Sequence, residues 1–391
     1  MRIAYMLTSL GIGGAERQVV ELAERMAAAG HKVVLVVLRS RRRHEWPAGV
    51  EILRLDMTRS PLGVLGGLLR GRRILRRFRP DVLHSHTFPA NLTARVFRLL
   101  GAAPKVVSTI HNIYEGDWKR TLAYRLTDPL SNCITAVSRA VADRYMQIGA
   151  VSAGKVSIIA NGVDVEAFAP ARTSAWLEVS SGQARHDFVW LAAGRAVPAK
   201  DFDNLLAAFT LVRSVSPQAQ LWIAGEQNER DDRISGQVAG SAGQVRDGIR
   251  RLGLCRDMAA TLAAADAFVL SSAWEGMPLV VAEAMAMEKP VVATEVGGVR
   301  ELVGENGLLI PAKDPQALAR AMLKVMSMAP GEHRAMGRAA RTRILQHFDM
   351  NAKADEWESL YAQLMGTPGA GEASITHGRL MNEFPDGANE E

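Results

Sequence analysis

The sequence predicts an α/β protein of two domains, each a doubly wound parallel sheet with helices on its faces. Three observations predict this architecture. Short runs rich in β-branched residues alternate along the chain with alanine-rich runs of helical spacing. The chain of 391 residues is too long for one ordinary core. A polar stretch of small residues without periodicity, 171–187, separates the two halves and predicts a linker.

Strand-like segments recur in both predicted domains. In the first domain, residues 1–170, they read IAYML, KVVLVVL, VEILRL, DVLHSH, KVVSTI, CITAV and VSIIA. In the second domain, residues 188–347, they read FVWLAAG, AQLWIAG, IRRLG, AFVLSS, PVVAT and GLLI. Residues 348–365 predict a helix anchored by Phe348, Trp357 and Tyr361, and residues 366–391 have the composition of a disordered tail.

The composition argues against several classes of protein. Cys133 and Cys255 are far apart and outside any C-x-x-C spacing, which disfavours a disulfide framework and a zinc site. His84 and His86 share a strand face, but no third ligand is evident near them, so no metal is predicted. The N-terminus lacks the apolar core and cleavage site of a signal peptide, and no apolar run has membrane-spanning length. We expect a cytoplasmic protein.

The net charge is +6, and arginines are concentrated in the stretch PLGVLGGLLRGRRILRRFRPD. Helical spacing predicts an apolar stripe and a basic stripe on this segment. Such a helix can lie on an anionic membrane surface, or its arginines can form an ordinary solvated face. Nucleic acid is not an expected partner, because no nucleic-acid-binding motif accompanies the arginines. The apolar stripe comprises Val64, Leu65, Leu68, Leu75 and Phe78, and the basic stripe Arg70, Arg73 and Arg77.

A glycine-rich turn follows the first strand, with Gly11, Gly13 and Gly14 ahead of a helical run. The dinucleotide fingerprint G-x-G-x-x-G would need a third glycine where Glu16 stands, so that interpretation is weak. A turn of this kind exposes backbone N–H groups and can accept an anion or let a ligand approach. The other interpretation is a tight turn without a ligand.

The stretch SSAWEGMPLVVAEAMAMEKPVVAT is the most informative one. Pro278 predicts a helix start, which places Glu275 in the turn before the helix and Glu283 more than one turn inside it. Backbone amides at such a helix start suit a diphosphate. Carboxylates beside that anion site suit vicinal hydroxyls of a sugar instead. The amides belong to Gly276, Met277, Leu279 and Val280.

Two cations lie at the end of a strand in WLAAGRAVPAKDFDNLLAAF. Arg195 follows the strand and Lys200 stands just before the next helix. Their charges can neutralise a diphosphate leaving group, and a guanidinium can engage two oxygens at once. Either cation alone would be an ordinary surface charge. Together with the glycine turn and the two glutamates, they predict a site for a sugar nucleotide.

An ordered set of motifs resembles one known family. The pieces are GIGGAERQV, DVLHSHTFPANL, STIHNIY, AVSRAVADRY, IANGVD, GRAVPAKDFDNLLAAF, IRRLGLCRDMAATLAAADAFVLSSAWEGMPLVVAEAMA and VATEVGGVREL. They resemble the family-four group of retaining glycosyltransferases, with Glu275 and Glu283 matching its E-x7-E element. The resemblance implies the GT-B fold, in which two Rossmann-like domains face each other across a cleft. It also implies that the helix near Trp357 crosses back onto the first domain.

The resemblance implies a donor site for a nucleoside-diphosphate sugar. Arg195 and Lys200 would bind the diphosphate and stabilise it as it leaves. Glu283 would hold the ribose hydroxyls, and Glu275 those of the donor sugar. Backbone around Gly253 and Arg256 would border the base. The helix-start residues Gly276, Met277, Leu279 and Val280 would help to bind the donor.

The resemblance also implies an acceptor side on the first domain. Gly13 and Gly14 would bring backbone close to the phosphate and the acceptor, while His111 would contact the donor sugar near the reacting carbon. Glu16 is expected on the acceptor side. His86 either lines the cleft near the acceptor or simply packs in the interior. In such enzymes the acceptor attacks from the face that the nucleotide leaves, without a metal. Because this fold binds acceptors on the first domain, where the basic helix lies, the expected acceptor is lipid-linked or a polysaccharide in cell-envelope or exopolysaccharide synthesis.

Two alternatives stay open at this stage. One is a sugar-nucleotide epimerase of the same fold, and the other is a nucleotide- or glycan-binding module without turnover. The four charged residues of the predicted site argue against the second. The sequence departs from the family at Asp201, where glycine is common, and at Gln227 and Asn228, which replace a Gly-Pro pair. Asp201 is tolerable if it caps the helix or adopts the left-handed region.

Overall fold

The computed structural model describes residues 1–11, 13–39, 49–170, 187–225, 245–246 and 248–366. The predicted linker lies outside the described residues apart from Asp187, and the predicted tail lies outside them apart from Gly366. Gln227 and Asn228 also lie outside them. Among the described residues, no helix is long and apolar enough to cross a bilayer.

The first domain contains a parallel sheet of seven strands. In chain order they are β1 (Arg2–Leu7), β2 (Lys32–Val37), β3 (Glu51–Arg54), β4 (Val82–His86), β5 (Val106–Ile110), β6 (Cys133–Ala136) and β7 (Val156–Ile158). Their spatial order is β3-β2-β1-β4-β5-β6-β7. The helices between them are α1 (Gly14–Ala28), α2 (Pro61–Phe78), α3 (Phe88–Leu99), α4 (Trp118–Thr127) and α5 (Arg139–Gln147).

The second domain repeats the plan. Its strands are β8 (Val189–Ala193), β9 (Gln220–Ala224), β10 (Val245–Arg246), β11 (Ile249–Gly253), β12 (Ala267–Leu270), β13 (Val291–Thr294) and β14 (Leu308–Ile310), in the order β10-β11-β9-β8-β12-β13-β14. All pairs are parallel except the antiparallel edge pair of β10 and β11. Its helices are α6 (Phe202–Val215), α7 (Met258–Ala263), α8 (Leu279–Ala286), α9 (Val299–Val303), α10 (Pro315–Met326) and α11 (Pro330–His347).

Two doubly wound parallel sheets confirm the predicted fold class. Each strand-like segment of the sequence forms a strand. The inner strands β4, β5, β8 and β9 are buried at every position, as expected where helices cover both faces of a parallel sheet. The short edge strand β10 was missed, since two residues carry no periodicity. The predicted turns at the carboxyl ends of β1, β5, β8 and β12 lie where parallel sheets bind ligands.

The last helix, α12 (Met350–Met365), packs on the first domain. Its side chains Met350, Trp357 and Tyr361 are buried in one core cluster with residues of β1 and α1. Backbone bonds fix the crossing, since the N–H of Val163 donates to the carbonyl of Phe348 at 2.8 Å. Trp357 and Tyr361, two of the aromatic anchors predicted from the sequence, therefore hold α12 against the first domain.

The apolar stripe predicted on α2 is buried only in part, since Leu75 is fully buried and Leu68 and Phe78 pack against the core of the first domain. The buried face of this helix comprises Gly67, Gly71 and Leu75, while Val64 and Leu65 are exposed. A Cβ atom at Gly71 would lie 2.3 Å from Cζ of Phe97, so the helix approaches the domain through its glycines. Close approach of the backbone leaves the larger side chains of the first half facing outward. Leu62, Leu65 and Leu69 are accordingly 81%, 53% and 62% exposed.

Candidate active site

Lys200 and Glu275 form an ion pair at the carboxyl ends of β8 and β12. The Nζ atom of Lys200 donates to Oε1 of Glu275 at 2.6 Å, and the hydroxyl of Ser272 donates to the same oxygen at 2.7 Å. The side chains are 18% and 13% exposed, so the pair is shielded from solvent but open to a ligand. Sequence reasoning predicted both charges and missed Ser272.

The loop that carries Lys200 is anchored to the loop that carries Glu275. The hydroxyl of Ser271 donates to the carbonyl of Lys200 at 2.8 Å, and the N–H of Ala273 donates to the carbonyl of Ala199 at 2.8 Å. Asp201 adopts the left-handed region, with φ 45° and ψ 53°, and its side chain accepts from the N–H of Asn204. The departure from glycine is therefore accommodated in both ways expected from the sequence.

Glu283 is paired with an arginine of the opposite domain. The Nη1 atom of Arg17 lies 2.9 Å from Oε1 of Glu283, which is 4% exposed. Burial raises the pKa of Glu283, and the charge of Arg17 opposes that shift. Arg17 also bonds Glu21 at 2.9 Å and lies over the Phe168 ring. Glu283, which the resemblance assigns to the ribose hydroxyls, is thus bound by Arg17 from the other side of the cleft.

Arg17 was missed from the sequence although a signal was present. It follows the glycine turn one residue after Glu16, at the start of α1, where a side chain can point out of the first domain. A cation at a helix start opposes the helix dipole, which is a reason to look for an external partner. Burial alone would lower the pKa of Arg17, but the carboxylates of Glu283 and Glu21 raise it overall.

The backbone at Gly276 meets the first domain closely. A Cβ atom at this position would lie 2.0 Å from the carbonyl oxygen of His111. The carbonyl of Gly276 accepts from the hydroxyl of Ser138 at 3.2 Å and from the N–H of Gly298 at 2.9 Å. Only glycine fits this contact. The predicted sugar-binding loop and His111 are therefore in direct contact.

The glycine turn of the first domain faces the start of α8. A Cβ atom at Gly14 would lie 3.4 Å from Cδ1 of Leu279, which is ordinary contact distance. The carboxylate of Glu16 folds back over the turn, since a Cβ atom at Gly13 would lie 2.1 Å from its Oε2. Glu16 therefore lies over the first-domain turn where the sequence predicted an approaching phosphate or acceptor.

Three histidines extend from the first-domain core to the cleft. Nδ1 of His86 lies 2.9 Å from Nε2 of His111. His84 lies between the hydroxyls of Tyr361 and Thr109, 2.6 Å from each. Burial lowers the pKa of His111 to about 4 and holds those of His84 and His86 well below their usual value. His86 is 2% exposed, so it does not line the cleft and reaches it only through His111.

The remaining predicted donor residues are placed around this centre. Met277 is buried, and its carbonyl accepts from the side-chain amide of Asn161 at 3.2 Å. Val280 is partly buried in the first turn of α8. Gly253 ends β11, with φ +67°, and Arg256 is exposed just beyond it. Arg195 is exposed, five residues before Lys200, and the described residues give it no bond to the other predicted site residues.

The arrangement brings charge and backbone donors of both domains to one cleft. Lys200 supplies a cation next to the free amides of the α8 start, where an anion is stabilised by the oriented peptide groups. Glu275 and Glu283 supply carboxylates eight residues apart on either side of that helix start. Within the described part of the chain, no group of three His, Cys, Asp or Glu side chains is placed to hold a metal ion.

Two family models match the chain. The model described as Glycosyltransferase Family 4 matches residues 12–167, and the model described as Glycosyl transferases group 1 matches residues 187–328. Together they cover more than half of the chain, and they span β2–β7 of the first sheet and β8–β14 of the second.

Two relatives share most of their length with this chain. UDP-Gal:alpha-D-GlcNAc-diphosphoundecaprenol alpha-1,3-galactosyltransferase of Escherichia coli is 25% identical over 311 residues, which cover 75% of this chain and 78% of that protein. Lipopolysaccharide core biosynthesis glycosyltransferase LpsE of Rhizobium meliloti is 27% identical over 359 residues, which cover 90% and 96%. Both relatives are glycosyltransferases.

Solved structures share the fold. Sucrose-phosphate synthase from Thermosynechococcus elongatus superposes with a TM-score of 0.79 at 22% identity, covering 93% of this chain and 99% of that one. Anabaena Alr3699/HepE, solved in complex with UDP, superposes with a TM-score of 0.78 at 20% identity, covering 93% and 100%. The resemblance seen in the motifs is thereby confirmed by the two family models and by the fold: the chain belongs to the family-four glycosyltransferases of GT-B fold.

Proposed function

We propose that this glycosyltransferase moves a sugar from a nucleoside-diphosphate sugar to an acceptor hydroxyl with retention of the anomeric configuration and without a metal. The observation that carries the proposal is the 2.6 Å pair of Lys200 and Glu275 beside the start of α8. Lys200 is partly desolvated beside this helix start, so its side chain can turn from Glu275 and place its charge on a departing diphosphate. Arg195, in the same loop, adds a second cation.

Each carboxylate has a separate task in this proposal. Glu275 accepts hydrogen bonds from donor-sugar hydroxyls once Lys200 turns to the diphosphate. Glu283 accepts from the ribose hydroxyls, and its pair with Arg17 favours the ionised form of a carboxyl whose pKa burial raises. His111, in contact with Gly276, faces the reacting carbon from the first domain. Its lowered pKa keeps the imidazole neutral, so it can orient a hydroxyl without repelling a positively charged transition state.

The acceptor side is proposed from the relatives. One relative is named for transfer to GlcNAc-diphosphoundecaprenol and another for lipopolysaccharide core biosynthesis. We infer a lipid-linked or growing polysaccharide acceptor of the cell envelope. UDP is the nucleotide to test first, because Anabaena Alr3699/HepE was solved with it.

Sugar transfer is tested by incubating the protein with UDP, GDP and ADP sugars in the presence of a chelator. We expect release of nucleoside diphosphate from one donor class, accelerated by a glycolipid extract, and a product whose new linkage keeps the α configuration of the donor by NMR. Inversion would contradict the retaining proposal. Interconversion of the donor sugar without release of nucleotide would favour the epimerase.

We further propose that α2 places the protein on an anionic membrane surface. The first half of the helix exposes Leu62, Leu65 and Leu69, and the second half exposes Arg73 and Arg77. This combination suits the boundary between acyl chains and anionic headgroups. Arg70 is exposed as well, but it pairs with Asp56 at 3.1 Å, so its charge is partly matched.

Co-sedimentation with phosphatidylglycerol vesicles at low salt tests this surface. The variant Arg73→Glu/Arg77→Glu is expected to bind at least about thirtyfold more weakly, because each basic side chain at an anionic surface contributes about 1 kcal/mol. The variant Arg334→Glu/Arg338→Glu on exposed positions of α11 is the matched control. Equal binding of both variants, or none by the unaltered protein, would refute the membrane proposal.

A further inference from the structure

A cavity of about 540 Å³ lies in the first domain beside the cleft. It is formed by the loop after β5 together with α4 and α5. The loop continues directly from His111, and its Tyr114 ring lies 6.2 Å from the ring of Trp274 in the second domain, centroid to centroid. The volume is that of a small-ligand pocket. The cavity therefore borders the proposed reaction centre without containing any of the predicted donor residues.

Arginines dominate the charge of this cavity. Arg120, Arg125 and Arg144 line it, and Arg120 is fixed over the Phe88 ring. Arg125 and Arg144 are exposed, and no carboxylate in the described part of the chain lies at ion-pair distance from either. Planar guanidinium groups bind phosphate oxygens two at a time, which an ammonium group cannot do.

The acids in the lining do not cancel this charge. The carboxyl of Glu115 accepts from the hydroxyl of Tyr124 at 2.8 Å, and burial raises the pKa of Glu115 to about 7. A carboxyl with such a pKa is protonated for much of the time at neutral pH. Asp117 is the other acid of the lining. Three arginines against these two groups leave the cavity positive, as an anionic ligand requires.

An apolar stripe extends from the cavity along α4. Trp118, Leu122 and Leu126 follow at intervals of four residues and are 68%, 43% and 70% exposed. They share one face of the helix over about 12 Å. Tyr114, at the end toward the cleft, is 57% exposed. Exposed aromatic rings of this kind offer stacking surfaces to sugars and contact area to acyl or prenyl chains.

From the cleft outward, the surface presents first the ring of Tyr114, then the arginine cluster and then the apolar stripe. We propose that this cavity binds the acceptor through a phosphate or diphosphate that joins its sugar to an apolar chain. The sugar then lies near Tyr114 and the cleft, the phosphate between Arg125 and Arg144, and the chain along Trp118, Leu122 and Leu126. This inference rests on the proposed glycosyl transfer, since it names the class of acceptor for that reaction.

Binding measurements with the protein first saturated with UDP test the cavity separately from the donor site. The probes are farnesyl diphosphate, inorganic diphosphate and octyl glucoside, which carry the phosphate and the chain together or one at a time. Farnesyl diphosphate is expected to bind best. Arg125→Ala/Arg144→Ala should weaken it about tenfold to a hundredfold, as loss of charge-assisted bonds does. Arg334→Ala/Arg338→Ala should leave it unchanged.

One further variant, Trp118→Ala, and one further probe, phosphatidylglycerol vesicles, distinguish an acceptor phosphate from a membrane headgroup. Trp118→Ala is expected to weaken the binding of farnesyl diphosphate and to leave the binding of inorganic diphosphate unaffected, because only the apolar chain contacts the stripe. Unaltered farnesyl diphosphate binding by Arg125→Ala/Arg144→Ala overturns the inference. The inference is also overturned if Arg125→Ala/Arg144→Ala loses binding only to phosphatidylglycerol vesicles, because the cavity would then be a site for lipid headgroups. Failure of UDP to bind would count against the proposed transfer, and normal UDP binding shows that the variants are folded.

Discussion

Replacing Lys200 with alanine is expected to lower the turnover of sugar transfer by about a hundredfold to a thousandfold. The variant loses a preorganised cation at the leaving group, which is worth about 3 to 4 kcal/mol in the transition state. It also leaves the carboxylate of Glu275 without its partner at 2.6 Å. The released Glu275 then repels the diphosphate of the donor, which adds to the loss. Steady-state release of nucleotide, with and without acceptor, measures the effect.

The matched control is Lys324→Ala, which removes an exposed lysine of α10 in the same domain. We expect this variant to retain full turnover. Lys200→Arg should keep part of the activity, because the charge remains while the planar group no longer fits the pocket of the ammonium. Full turnover by Lys200→Ala would remove the diphosphate role of this residue.

Gly276→Ala is expected to lower turnover by about a hundredfold while the protein stays folded. The new methyl group would meet the carbonyl oxygen of His111 at 2.0 Å, so the two domains must separate at the reaction centre. A displacement of about 1 Å at reacting groups can cost about 10²-fold in rate. The change lies at an interdomain contact, so each sheet keeps its own core. Thermal unfolding and turnover, measured on the same sample, separate the two effects.

Gly331→Ala is the control for this substitution. Apart from its chain neighbours and the backbone of its own helix, no atom of the described residues lies within 4 Å of a Cβ built at Gly331, in the first turn of α11. Alanine there should leave turnover unchanged and leave stability equal or slightly higher, because it reduces the freedom of the unfolded chain. A Gly276→Ala variant with normal turnover would show that the close contact with His111 is not needed for the reaction.

The alternation of strand and helix was readable because burial in parallel sheets demands continuous apolar runs. The same logic located the loops after β8 and β12, where Lys200 and Glu275 meet. Periodicity could not predict the full packing of α2, since Gly67 and Gly71 share its buried face with Leu75. A count of apolar side chains places leucines along the whole buried face, whereas here the two glycines let the backbone approach the core closely. The exposed leucines of α2 follow from that geometry.

Partners across the cleft were the least predictable part of the site. Arg17 and Glu283 are separated by the whole linker and most of both domains, and no local spacing relates them. The same holds for the N-terminus of α5, whose N–H groups at Arg139 and Ala140 donate to the carboxylate of Glu301 at 2.8 and 3.0 Å. Such contacts depend on how two sheets approach each other. The pairing of His86 with His111 is similar, because it joins the ends of neighbouring strands.

A crystal structure of the complex with UDP would show how the charges of the cleft are placed around a diphosphate. We expect the diphosphate at the start of α8, with Lys200 turned from Glu275 onto its oxygens. We also expect the ribose hydroxyls to lie on the carboxylate of Glu283. A nucleotide bound elsewhere, with the Lys200 and Glu275 pair intact at 2.6 Å, would refute the proposed donor site.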